Sequence, residues 1–488
     1  MEIMLNKFLL TGIYAIIGGF TLTGCSKLLE IGPPINSITT EEIFENNKQA
    51  EWAIAAIYSK MINGVNTGMN TPQAITESVF SSGLSTILGG LSADELTAPT
   101  NLQNTDLHAS NNKLTVVNSA KTAMIWESAY RTIFDCNAAL EGIRSSTSTL
   151  LTDSVRNELT GEALALRAFS YFYLVNFYGD VPLVLTADFK SSQSLPRAPV
   201  AKVYEQIKTD LLTAKSLLAD DYSVGRNERV RINRWFAEAM LARVYLYTGE
   251  YQPAINSATS VIGNTALFSV EQNLNNTFLP NNRETILQLK PASDNSWVQN
   301  GTPEGYILFN TPFPGGSYYR SYEISNELIA AFEANDQRKV LWTTTVGPVF
   351  LSAKYTKAEK MQYYNVIRLS ELHLIRAEAI MRFMPADKSN AIEDLNILRR
   401  RAGLDELDDQ LTDEQVIDAI AQERRVELFL EWGHRWFDLK RTGKAGGVLS
   451  TIPYKQPWWG DYQLLYPIPA SEINENSHLI QNPEYNVR

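Results

Sequence analysis

A chain of 488 residues with 44% hydrophobic and 20% charged side chains has the composition of a globular protein. It is long enough to bury a large core. The 43 basic and 54 acidic residues give a net charge of -11, which argues against a nucleic-acid-binding surface and against a polybasic membrane patch.

The first segment is built for export. Lys7 supplies a short positive region, and Phe8 to Gly24 reads FLLTGIYAIIGGFTLTG, apolar and uncharged. It falls short of the roughly 20 residues a spanning helix needs. Leu22, Thr23 and Gly24 before Cys25 have the order of a bacterial lipobox, so Cys25 is expected to carry a diacylglycerol. An ordinary signal peptide, or a buried free cysteine, is the competing reading. Lipidation would anchor the chain, each buried methylene contributing about 0.8 kcal/mol. The second cysteine, Cys136, sits in IFDCNAAL and is read as a small apolar core residue.

Ile31 to Ser37, IGPPINS, is a Pro/Gly linker, and Thr39 with Glu42 has capping-box spacing. A helix follows, with Ile43, Ala50, Ile54, Ile57, Tyr58 and Met61 at three- and four-residue steps. Residues 64–118, rich in Gly, Ser, Thr and Asn, read as loops. Helical spacing returns at Trp126, Tyr130, Ile133, Asn137 and Leu140 and continues through GEALALRAFSYFYLVNFYG, with Gly179 as C-cap. Val200, Val203, Ile207, Leu211, Ala214 and Leu218 mark another helix. Leu241, Ala242, Tyr245, Gly249, Tyr251 and Ala254 then fall at tetratricopeptide-repeat offsets. Small alanines let two helices approach, and Gly249 makes the turn. LSELHLIRAEAIMRFMPADKSNAIEDLNILRRRAGL has the same character. One such pair cannot cover its own apolar face, so three or four are expected to stack. Between them, residues 264–321 have weak periodicity; NNRETILQLK reads as a strand, and the aromatics Trp297, Tyr306, Phe309, Tyr318 and Tyr319 argue for an ordered, functional loop.

Five blocks in order resemble the SusD/RagB-like lipoproteins of the Bacteroidetes outer membrane: LRAFSYFYLVNFYGDVPLV (Leu166 to Val184), YEISNELIAAFEANDQRK (Tyr322 to Lys339), IRLSELHLIRAEAI (Ile367 to Ile380), ERRVELFLEWGHRWFDLKRTG (Glu423 to Gly443) and the tail LYPIPASEINENSHLIQNPEY. Ser477 stands where that family usually has Pro, and Glu484 where it usually has Gly. The first acidic residue after Cys25 is Glu30, whereas surface-exported members often carry acidic residues sooner. The resemblance implies an all-α, tetratricopeptide-like scaffold with long irregular loops and few short strands. It implies a signal peptide at 1–24, a tether at 25–38, an N-terminal helical region at 39–270 and a C-terminal region at 271–488, packed as one body. It also implies a lipoprotein on the cell-surface side of the outer membrane that binds glycans and hands them to a SusC-like TonB-dependent transporter. Peptide capture, as in RagB-like members, is the second binding reading.

The catalytic suspects are Glu423, Glu427 and Glu431, four residues apart, with His434 and Asp438 continuing the same helix face. A glycosidase sets two carboxylates about 5.5 Å or more apart across a cleft. Three on one helix, interleaved with Arg424, Arg425, Arg435 and Lys440, form scaffold ion pairs more naturally. Non-enzymatic binding is therefore expected, with a surface hydrolase as the other class. The four histidines are scattered and make no zinc motif, and no phosphate loop or nucleophile elbow is present. No cofactor is expected, and an all-oxygen calcium site stays open. A sugar ring needs an aromatic plate under its CH face and polar groups at its hydroxyl rim. Trp297, Tyr306, Tyr318 and Tyr319 are the candidate plates, with Asn295 and Arg320 beside them and Asp94 and Asn101 from the earlier loop as rim partners. Packing of those rings against the helices is the bland alternative, and Trp458 and Trp459 are a secondary aromatic pair.

Overall fold

The computed structural model describes residues 43–64, 78–98, 104–291, 301–309, 322–356 and 362–485. From Phe44 onward the chain packs as a single unit. Asn46 caps the first long helix, α1 (Asn47–Asn63), its side-chain oxygen accepting from the Gln49 amide at 3.1 Å. Ala50, Ile54, Ile57, Tyr58 and Met61 form its buried face, as their spacing requires. The Thr39 capping box lies outside the described residues.

A stack of helices follows. After α2 (Leu84–Ser92) come α3 (Ala120–Ser145), α4 (Asp153–Tyr178), α5 (Val200–Leu217), α6 (Arg234–Tyr247) and α7 (Tyr251–Ile262), and from α3 to α7 each helix packs on its predecessor. The chain then leaves the stack and makes α8 (Pro303–Leu308) before returning as α9 (Leu369–Phe383) and α10 (Lys388–Arg401). α9 packs directly on α7, and α10 on α9, so the stack is interrupted in sequence but continuous in space. Helices α11 (Asp413–Glu427) and α12 (His434–Arg441) complete it, with α11 lying on α9 and α10. This is the expected all-α, helical-hairpin scaffold. Gly249, at φ +75°, makes the α6–α7 turn, and Ala242 and Ala254 are fully buried where the two helices meet. Cys136 is wholly buried on α3, and burial pushes its thiol well above the usual range, which suits a core residue.

Arginine forks bind the stack. Arg167 on α4 donates to both Asp210 oxygens on α5 at 2.8 Å and to the Asn137 side chain on α3 at 2.8 Å. Arg243 on α6 holds both Glu371 oxygens on α9 at 2.6 Å. Bidentate geometry fixes the rotation of each helix as well as its distance. The Tyr-Gly-Asp-Val-Pro block becomes a staple in the same sense. Gly179 caps α4 at φ +76°, and β2 (Val181–Pro182) pairs with β3 (Arg197–Ala198) just ahead of α5. Asn482, from the tail block, donates to the carbonyls of Tyr178 at 2.9 Å and Tyr466 at 2.8 Å.

The excursion between α7 and α9 is closed at its base by β4 (Thr285–Leu289), which pairs antiparallel with β8 (Tyr364–Arg368). The strand expected in NNRETILQLK is therefore present. A second sheet runs β1 (Leu96–Thr97), β5 (Glu323–Ile324), β7 (Val349–Ser352) and β6 (Thr343–Val346) in that order.

Two expectations fail here. Within residues 64–118, read as loops, Asn104–Ser110 is helical and Leu84–Ser92 forms the fully buried helix α2. Its Gly and Ser are there for proximity: a Cβ on Gly89 would lie 2.6 Å from the Gly433 Cα. The Glu423–Gly443 segment, read as one helix, breaks after Glu427. Leu430 (φ 48°), Trp432 (φ 54°) and Gly433 (φ 77°) all adopt left-handed backbone, and α12 starts anew at His434. The two corrections share a cause, since the break is what presents Gly433 to α2. Helix propensity alone favours alanine over glycine by about 1 kcal/mol. Gly89→Ala is nevertheless expected to lower the unfolding free energy by about 2 kcal/mol, because backbone blocks the new methyl. Denaturant titration checks the sign.

Candidate ligand-binding face

The two regions that carry the candidate ligand residues meet through backbone pairing. β1, entering the segment that contains Asn101, pairs with β5, leaving the segment that contains Tyr318, Tyr319 and Arg320; Leu96 faces Ile324 and Thr97 faces Glu323. Ser325 reinforces the junction, its hydroxyl donating to the Asp94 carbonyl at 2.6 Å and its amide to the Glu95 carbonyl at 2.9 Å. Asn101, Asn295, Trp297, Tyr318, Tyr319 and Arg320 lie outside the described residues, as does Cys25. Tyr306 is described: it sits half-buried on α8, which Thr302 caps by accepting from the Gly305 amide at 3.0 Å.

Asp94 does not stand at a rim. It is 1% exposed, and Arg435 at 2.7 Å and Arg425 at 2.7 Å occupy its carboxylate. Burial alone would raise this carboxyl, but the hydrogen bond and charge of Arg435, with Arg425, hold it low. Its role is to clamp the root of the β1 segment to α11 and α12. No local pattern points to this, because the partners lie more than 300 residues away. Glu95 beside it is buried too; burial, then the Asp94 charge, push it up to about 8. Glu304 on α8 is also enclosed. It accepts from the Tyr364 hydroxyl, which stands 3.0 Å from the Thr86 hydroxyl, and burial pushes it up to about 8.

A third segment adjoins this junction through two lysines that sequence reading did not single out. Lys455 is fully buried; its ammonium donates to the carbonyls of Leu91 at 2.8 Å and Ser110 at 2.6 Å, and to the Asn112 side chain at 2.7 Å. Burial pulls it down to about 7. Lys113 donates to the Lys455 carbonyl at 3.2 Å and lies 4.0 Å from the centre of the Trp459 ring, which is 46% exposed. The signal for this segment was the Trp-Trp pair itself; nothing in the sequence tied it to residues 91–113.

The catalytic suspects are enclosed in an ionic cluster. Glu423, Glu427 and Glu431 are all buried. Arg338 pairs with Glu427 at 3.0 Å, with Asp336 at 2.9 Å and with Glu423 at 2.5 Å. Arg368 pairs with Glu284 at 2.5 Å, Glu427 at 2.7 Å and Glu431 at 2.9 Å. Arg401 adds Glu284 at 2.8 Å and Glu427 at 2.6 Å, and Lys354 adds Glu431 at 2.7 Å. Burial would raise the Glu427 carboxyl, but Arg401, Arg368 and Arg338 hold it well below the usual carboxylate range. A general acid needs the opposite. Arg424, one residue along the helix, serves a separate group with Asp438 at 2.7 Å, while Arg441 joins Glu378 at 2.6 Å. His434 is held neutral, since burial lowers it to about 4. Among the described residues no group of three or more His, Cys, Asp or Glu is set to hold a metal ion, and no helix is long and apolar enough to cross a membrane.

These features coincide with known proteins along the chain. Residues 58–246 match a family model described as "Starch-binding associating with outer membrane", and residues 349–485 match the model of the SusD family. SusD-like protein P2 of Formosa agariphila is 26% identical over 99% of this chain and 100% of its own length. A solved structure of a laminarin-binding SusD-like protein, 25% identical, superposes with a TM-score of 0.72 over 91% of this chain and all of the other. Surface glycan-binding protein A of Bacteroides thetaiotaomicron, solved with laminarihexaose, gives 0.72 at 21% identity over 90% and 99%. The chain belongs to the SusD/RagB-like family. The two solved structures are of binding proteins by name, and the first family model associates its members with the outer membrane.

Two outcomes follow from the buried charges. Glu427→Gln leaves three guanidinium groups short of a counter-charge and is expected to cost about 3 kcal/mol or more of unfolding free energy, read from denaturant melts. Glu304 keeps its proton in the folded state up to pH about 8 but loses it near 4.5 when unfolded, so stability falls as pH rises across that window. Glu304→Gln is expected to flatten the slope by up to about 1.4 kcal/mol per pH unit, measured as unfolding free energy between pH 5 and about 8.

Proposed function

We propose that this protein is a lipid-anchored, non-enzymatic glycan-binding protein of the outer membrane. It captures oligosaccharides or polysaccharides at the cell surface and delivers them to a SusC-like TonB-dependent transporter. Residues 1–24 are its signal peptide, Cys25 carries the acyl chains, and residues 25–38 are the tether between lipid and body. The N-terminal helical region runs from 39 to 270 and the C-terminal region from 271 to 488.

The observation that carries the reading is the β1–β5 pairing, which brings the stems of the two aromatic- and amide-rich segments side by side. Trp297, Tyr306, Tyr318 and Tyr319 are assigned to stacking against sugar rings, and Asn101, Asn295 and Arg320 to their hydroxyls. Stacking suits this task because rigid rings lose little rotamer entropy on binding. Further support comes from the likeness over nine-tenths of the chain to proteins named for laminarin and surface glycans. The absence of turnover is supported by the ion pairing of Glu423, Glu427 and Glu431, which leaves them no access to a substrate.

Laminarin and starch are the first polysaccharides to try, since relatives carry those names. Calorimetry on the full chain in detergent is expected to show binding of one such glycan with no release of shorter products. Trp297→Ala is expected to weaken that binding by more than about 1 kcal/mol while leaving the melting temperature nearly unchanged. Unaltered affinity would remove Trp297 from the site, and product release would return the hydrolase reading.

A further inference from the structure

A cavity of about 290 Å³ opens between α3, the β2 segment and the short helix Ala470–Glu475 near the tail. Its floor is aromatic and apolar: Trp126 and Tyr130, with ring centres 4.9 Å apart, beside Pro182. Its lip is Phe189, a residue 70% exposed. Its rim is polar, with the amides of Gln193 and Asn476 and the carboxylates of Glu472 and Glu475. All of these belong to parts of the chain distinct from the β1–β5 junction.

Neither the half-buried Glu472 nor the exposed Glu475 has an ion-pair partner among the described residues. The nearby cations are engaged elsewhere. Arg131 pairs with Glu127 at 2.7 Å, and Arg197 donates to the carbonyls of Asp180 at 2.7 Å and Ile480 at 2.8 Å. Glu472 is half-buried and accepts from the Trp126 indole N–H; burial and the charges of Glu475 and Glu127 raise its pKa. Two negative groups over an aromatic floor favour a cation. The Gln193 amide at the rim adds an acceptor that a bare alkylammonium would leave unused.

We propose that this cavity is a second saccharide site, and that it takes the ring of an amino sugar carrying a free, protonated amine. The ammonium sits between Glu472 and Glu475, the CH face lies on Phe189, and the hydroxyls reach Gln193; Asn476 only shapes the rim, its amide being held by the Leu195 carbonyl at 2.9 Å and the His478 amide at 3.0 Å. The assignment deepens the glycan-binding reading, on which it rests, but involves none of the loop residues named there. A uronate ring is refused by the same two carboxylates that hold the amine.

The test is calorimetry on the full chain with a glucosamine tetramer, its N-acetylated counterpart and a tetralysine peptide. The free-amine tetramer is expected to bind, and the acetylated one to bind at least about tenfold more weakly. The paired substitution Glu472→Gln with Glu475→Gln, and separately the exposed Phe189→Ala, are each expected to lower the free-amine affinity by a similar factor, with melting temperatures confirming folded protein. No binding, equal binding of the two tetramers, wild-type affinity in these variants, or tighter binding of the peptide would each overturn the proposal. Binding of the glucosamine tetramer without laminarin or starch binding would overturn the loop-face reading alone.

Discussion

Three guanidinium groups, those of Arg338, Arg368 and Arg401, interleave with the carboxylates of Glu284, Glu423, Glu427 and Glu431 at the centre of the C-terminal half. Taking each such charge out of water costs several kcal/mol, and only close, multiple pairing offsets that. The arrangement is thus an all-or-nothing condition. Glu284 comes from the edge of β4, Arg368 from the end of β8, Arg401 from the end of α10 and Glu427 from the end of α11. A slip of any one of these elements would strand a charge in the core. The cluster selects one register for elements that share little sequence proximity.

The placement of the candidate ligand face follows from that selection. With α11 fixed by Glu423 and Glu427, its neighbour Arg425 reaches Asp94, and Arg435 reaches the same carboxylate from α12. Consecutive residues on one helix point about 100° apart, so Glu423, Arg424 and Arg425 serve three different groups. The break after Glu427 lets the chain turn, presents Gly433 to Gly89 and seats α2 in the core. The segment holding Asn101 leaves from just beyond α2. Scaffold electrostatics and the root of the β1–β5 junction are therefore tied together.

Much of this was legible in the sequence, and the limits have physical causes. The helix pair at Leu241 to Ala254 was readable because small residues and a turn glycine sit at fixed offsets, a local signal. The structural reading of Glu423, Glu427 and Glu431 was readable from the interleaved arginines, although the partners turned out to be Arg338, Arg368 and Arg401, far away in the chain. The break at Leu430 to Gly433 was hidden, since Leu and Trp are ordinary helix residues and only the tertiary contact makes left-handed backbone worthwhile there. Helix α2 was hidden for the converse reason: Gly and Ser argue against helix locally, and their purpose is a backbone contact with residue 433. Asp94 misled because an acidic residue in a polar stretch looks solvent-facing until its two arginines are known. Glu484, standing at a position where the family usually has Gly, does adopt the left-handed backbone that glycine favours, with φ 67°.

Lys455 has a consequence of its own. Main-chain and amide oxygens converging on a single buried cation are the usual surroundings of a bound alkali or alkaline-earth ion. Here the positive charge is covalently part of the polypeptide, delivered by a side chain from the far end of the sequence. Such a cation cannot be diluted away or stripped by a chelator. The knot it ties between residues 91–112 and the Trp458–Trp459 segment therefore resists chelators, and loosens only where the ammonium gives up its proton, which burial brings down to about 7.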